Sequence, residues 1–60
     1  MVSDEVMEML EIYMDDELRE RAHYNVAPCS NDAFLKEYCK LDDTFAELVQ
    51  KEFGLDLTDL

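Results

Sequence analysis

Apolar and polar residues alternate along this chain with the period of a helix rather than of a strand, and three stretches carry the pattern. The first opens at Ser3, a side chain suited to capping a helix N-terminus. Asp4 and Glu5 come next and complement the helix dipole, and Val2 is placed to staple against Met7. From Val6 to about Tyr24 neither Pro nor Gly intervenes and good helix formers dominate, so one long helix is expected. Its weak point is Asp15-Asp16-Glu17, because Asp prefers caps to helix interiors; a break there would leave two shorter helices.

Residues 25–31 read as the main connection. Pro28 lacks a donor and disfavours helical geometry at Ala27, and Ser30 and Asn31 are both able to cap the next helix. A second helix is predicted from about Asp32 to Lys40, with Phe34, Leu35, Tyr38 and Leu41 on its buried side. Asp42, Asp43 and Thr44 interrupt the chain again. Thr44 with Glu47 fits a capping box, so a third helix is predicted to start there, burying Phe45, Leu48, Val49 and Phe53. Gly54 sits where a left-handed residue would end it, with Leu55 folding back toward Val49. The tail, residues 55–60, keeps apolar residues too regularly for a free linker and is expected to dock; its apolar end at Leu60 reads as the close of a complete chain.

At 100° per residue along the first helix, Asp4, Glu8, Glu11, Asp15 and Arg19 fall on one narrow stripe, with Glu5, Asp16 and Glu20 flanking it. Val6, Met7, Met9, Leu10, Ile12, Tyr13, Met14 and Leu18 cover much of the remainder. A surface helix needs an apolar stripe only about 100° wide, so this arc exceeds one neighbour's needs. The surplus predicts self-association through Met7, Met9, Ile12, Tyr13 and Met14.

Charge changes this picture more than composition does. Sixteen Asp and Glu against five Lys and Arg give a formal charge of −11 over 60 residues. Such a surface repels phosphate backbones and anionic lipids, which argues against direct nucleic-acid or membrane binding, and it accelerates encounter with a basic protein surface. Acidic chains can be disordered, but 48% hydrophobic residues with a single Gly and a single Pro make a folding composition. No apolar run exceeds three residues, far short of the roughly 20 needed to span a bilayer. Two cysteines, with no basic leader and cleavage pattern, point to a reduced cytoplasmic setting.

Candidate chemistry is sparse. There is no glycine-rich phosphate loop, and the one histidine has no partners for a triad. His23, near Glu20 and Asp16, reads as a helix C-terminal histidine favoured by the dipole rather than as a base or ligand. Cys29, ahead of a helix N-terminus, could be reactive, but Asp32 opposes that; Cys39 reads as a small buried apolar residue. His23, Cys29 and Cys39 lack zinc-site spacing, and Asp15-Asp16 and Asp42-Asp43 lack a calcium-loop pattern, so neither metal nor cofactor is expected.

The sequence therefore predicts an all-α fold over residues 1–60. It is a single domain of three short helices with a docked C-terminal tail, homodimeric through the first helix. Its core is predicted to hold Leu10, Tyr13, Leu18, Phe34, Tyr38, Phe45, Leu48, Val49 and Phe53. The function it points to is non-enzymatic: docking of an acidic face (Asp4, Glu8, Glu11, Asp15, Asp16, Glu20) on the basic surface of a nucleic-acid-binding protein partner. A nucleic-acid mimic of the kind carried by phages and mobile elements is one form of this, although one carboxylate stripe is sparser than a DNA strand with a phosphate per about 3.4 Å. Two alternatives stand beside it: a homodimeric structural or regulatory protein working through its apolar face, and an acidic face that serves solubility alone.

Overall fold

Four short polar side chains punctuate the chain, and each starts a helix. The Ser3 hydroxyl accepts from the Val6 N–H at 3.2 Å, and Asp15 Oδ1 accepts from the Glu17 and Leu18 N–H groups at 2.9 and 3.2 Å. The Ser30 hydroxyl accepts from Ala33 N–H at 3.2 Å, and Asp42 Oδ1 from Phe45 N–H at 3.1 Å. Each cap satisfies amide donors that the first turn of a helix leaves unpaired. A computed structural model describes residues 2–28 and 30–59. Its helices are α1 (Asp4–Glu11), α2 (Asp16–Val26), α3 (Asn31–Leu41) and α4 (Asp43–Glu52), with one 3-10 turn, Leu57–Asp59, after them. All regular structure among the described residues is helical, and no helix is long and apolar enough to cross a membrane.

Two expectations are corrected here. The single long first helix is two, because the Asp15 carboxylate competes for the amides of residues 17 and 18 and holds its own backbone extended, so the described residues form four α-helices rather than three. The last helix is capped by Asp42 and not by Thr44; the aspartate two residues earlier takes the Phe45 amide. The connection between α2 and α3 contains a cis Ala27–Pro28 peptide bond.

The core gathers where α3 packs between α2 and α4. Leu10, Leu35, Tyr38 and Val49 are fully buried, and Val2, Met7, Met14, Ala22, Phe34, Cys39 and Phe45 close around them. Leu18, Leu48, Phe53, Leu55 and Leu57 are half-buried against that cluster. Tyr13, expected inside, is 53% exposed, and Met14, four residues after the buried Leu10, takes the inward position. Burial of eleven such side chains is the main favourable contribution in a chain this short, which removes only about 60% of its unfolded surface from water.

Polar contacts set the relative placement of the helices. The N-terminal arm is tied to the start of α3: Val2 N–H donates to Asp32 Oδ1 at 2.6 Å, and Asn31 Nδ2 donates to the Val2 carbonyl at 3.1 Å. At the other end of α3 the hydroxyl of buried Tyr38 accepts from Asp15 N–H at 2.7 Å and donates to Asp42 Oδ2 at 3.2 Å, so one side chain joins the caps of α2 and α4. Gly54 takes φ +65°, a left-handed conformation that a side chain disfavours, and beyond it Leu55 N–H turns back to the Val49 carbonyl at 3.3 Å. The Leu55 and Leu57 side chains then lie against the core.

Candidate functional site

Eight of the sixteen carboxylates lie within the first twenty residues, where Arg19 is the only base. All eight, Asp4, Glu5, Glu8, Glu11, Asp15, Asp16, Glu17 and Glu20, are exposed. By contrast α3 carries Asp32 and Glu37 against Lys36 and Lys40, and residues 42–60 carry six acids against Lys51, so the negative charge lies on α1 and the start of α2 and again after α3. Exposed charge of this density steers a small molecule toward a cationic surface.

These acids do not form one line, as a continuous helix would have made them. Asp4, Glu8 and Glu11 stay on α1, where Asp4 Oδ1 also accepts from Asn31 Nδ2 at 2.7 Å. Asp15 is the α2 cap, with its carboxylate turned onto its own backbone. Asp16 pairs loosely with Arg19 at 3.4 Å, and Glu20 stands on α2. The acidic face expected from the sequence leaves out Glu17 and takes Glu5 only as flanking; both are exposed, Glu5 in the first turn of α1 and Glu17 in the first turn of α2.

The residues expected to self-associate divide as well. Met7 and Met14 are 6% and 9% exposed and belong to the core, since they face inward from the two sides of the break; they offer nothing to a second copy. Met9, Ile12 and Tyr13 are 51%, 78% and 53% exposed. Glu5, Glu8, Met9 and Ile12 recur at spacings of three and four, so they share one outward face of α1, with the helical dihedrals continuing through Ile12. The acidic and apolar surfaces, opposite one another in the sequence reading, therefore meet on this face. Tyr13 continues it onto α4, its ring edge-on to Phe53 with centroids 6.3 Å apart.

The remaining chemistry is structural. His23 stacks on Phe34, with centroids 4.1 Å apart and planes 23° from parallel, and both line a cleft of about 280 Å³ with Met7, Glu11 and Asn31. Burial, with Asp42 nearby, pushes the Cys39 thiol up to about 11, the opposite of what a nucleophile needs. Burial is also the largest influence raising Tyr38 above its ordinary value. Cys29, weighed above as a reactive thiol, lies outside the described residues. Among the described residues no three His, Cys, Asp or Glu side chains gather as a metal ion would require.

Comparison with known proteins identifies the family. Its model, described as Anti-CRISPR protein AcrIC5, matches residues 2–48, which run from the N-terminal arm through α3 and into α4 and include every exposed acid and apolar residue just described. The chain belongs to this family. No curated protein and no solved structure matches it.

Proposed function

We propose that this chain is a non-enzymatic inhibitor of CRISPR interference that docks the acidic surface of α1 and α2 on a basic, nucleic-acid-binding surface of a protein in the interference machinery. The observation that carries the reading is the run of eight exposed carboxylates with one intervening base, in a member of an anti-CRISPR family. CRISPR effectors hold nucleic acid in positively charged channels, and a compact polyanion competes for such a channel with the charge complementarity that nucleic acid itself uses. The break at Asp15 divides the acids between two short helices, which favours an acidic docking face over a literal copy of a phosphate strand.

The test is a host with active CRISPR immunity, challenged by a targeted phage while expressing the wild-type chain or a variant with Glu5→Gln, Glu8→Gln, Glu11→Gln and Asp16→Asn. Asp15 is left in place because it caps α2. The wild type is expected to restore plaque formation and the variant to lose most of that effect while keeping its helical circular dichroism. Plaque formation restored in full by the variant would remove the acidic surface from the account.

A second reading, a homodimer acting through its apolar face, draws on the exposure of Met9, Ile12 and Tyr13. Glu5 and Glu8 share that face, so two copies meeting through it would bring like charges together at a cost. A monomer in sedimentation at micromolar concentration is the expected result.

A further inference from the structure

The exposed apolar residues of α1 sit inside the acidic surface, and this changes what kind of partner it fits. Ile12 is 78% exposed, the most exposed aliphatic side chain among the large hydrophobics, although the core has room for smaller and less apolar residues such as Ala22 and Cys39. It is the C-cap of α1, in right-handed helical geometry that asks for no apolar side chain. Met9 lies three residues before it and Glu8 four, neighbours on a helix surface with Cβ atoms about 5–6 Å apart. Tyr13, held edge-on by Phe53, forms the far border. Glu5 and Glu8 share this face of α1 with the patch, Glu11 precedes Ile12 directly, and Asp16 and Glu17 follow past the turn, all exposed.

We propose that Ile12, with Met9 and Tyr13, is the apolar anchor of the partner interface, and that the surface it enters is a protein surface with an apolar recess rimmed by Lys and Arg. This rests on the acidic docking reading and deepens it. A carboxylate rim around an apolar centre has the anatomy of a protein–protein hot spot, in which charged residues steer and orient while a desolvated centre supplies most of the affinity. The same carboxylates disfavour the other occupants: a second copy meets its own charge, and neither a nucleic acid nor an anionic membrane complements it. A flat, uniformly cationic groove shaped only for phosphate would gain nothing from Ile12.

The experiment measures binding of the full chain to an immobilised CRISPR effector complex, purified from the host in which the chain inhibits immunity, at about 0.05 and about 0.3 M salt, conditions that differ in screening length. Three chains are compared: wild type, Ile12→Ser, and Glu5→Gln with Glu8→Gln. Burial of one isoleucine corresponds to about a tenfold to hundredfold loss of affinity for Ile12→Ser, carried in the dissociation rate, with the salt dependence unchanged. The double glutamine variant is expected to lose association rate and salt dependence instead. Met9→Ala provides a second readout of the patch, with a smaller loss in the same direction.

Ile12→Ser within twofold of the wild type, while the glutamine variant is weakened, overturns the anchor and leaves the acidic docking reading standing. Glutamine substitutions without effect, while Ile12→Ser is weakened, overturn the acidic reading and leave an apolar interface. No binding by the wild type overturns both. A wild-type dimer that Ile12→Asp converts to monomer assigns the patch to a second copy and overturns the anchor.

Discussion

Tyr38 shows how much a single side chain carries in a molecule with so small a core. Its ring is edge-on to Phe45 at 4.7 Å, and its hydroxyl closes two hydrogen bonds that link the start of α2 to the start of α4. Tyr38→Phe keeps the ring and strands the Asp15 amide, so it is expected to destabilise the fold by about 1–3 kcal/mol, read from thermal or urea unfolding. The alkaline limb of stability is set by Tyr38 and Cys39 together. Both have folded-state pKa values above their ordinary ones, so the stability they contribute is fully present below the unfolded values and is lost as pH rises through the folded ones. For Cys39 that window runs from 9.0 to about 11, and unfolding midpoints measured across it are expected to fall. In the native state at pH 8 the Cys39 peptide is expected to resist alkylation and to react once urea unfolds the chain, with mass spectrometry as the readout.

At the scale of elements, the caps decide the architecture. Asp15→Ala removes the acceptor for two amides and is expected to cost about 1 kcal/mol, lost chiefly from α2; amide exchange at residues 17 and 18 checks it. Gly54→Ala meets no steric contact, yet a side chain at φ +65° is disfavoured, and a loss of about 1 kcal/mol in unfolding free energy is expected. These positions also show what was legible beforehand. Ser3, Ser30 and Gly54 act in sequence as they act in space, since each works on its own backbone. Asp15 was visible as a weak point, but whether aspartate caps or is tolerated within a helix depends on the tertiary contacts that reward the break, here the bond from its amide to Tyr38, twenty-three residues away. The choice of Asp42 over Thr44 was hidden for the same reason, because Asp42 also receives the Tyr38 hydroxyl. Helical spacing alone places Met7 and Met14, three residues before and four after Leu10, on the buried side with it and leaves Tyr13 at the margin, so the expectation of Tyr13 in the core is a misreading of that face. The acids and the exposed apolar residues meet within α1 itself, because Glu5, Glu8, Met9 and Ile12 follow one another at spacings of three and four.

For the whole molecule, the balance of charge and area defines what it can do. Its accessible surface is 4257 Å², so a standard interface of about 800 Å² per partner would occupy roughly a fifth of it. A site of that extent can span α1, the Asp15 turn and the start of α2, and so can engage apolar anchor and carboxylate rim at once. Net charge of −11 on extents of 26 × 21 × 20 Å produces strong mutual repulsion between copies, and a monomer is expected by light scattering at low salt. The sign of the molecule's own charge was readable from sequence by counting; how Asp15 and Asp16 divide between a cap and α2 was not, because that depended on the break between α1 and α2. The most direct measurement is the affinity of the chain for a CRISPR effector complex across a range of salt, for the wild type and for the variant with Glu5, Glu8 and Glu11 changed to Gln. Tight wild-type binding that weakens steeply with salt is predicted, with weaker variant binding and a shallower slope. Equal affinities and equal slopes for the two chains would contradict acidic docking.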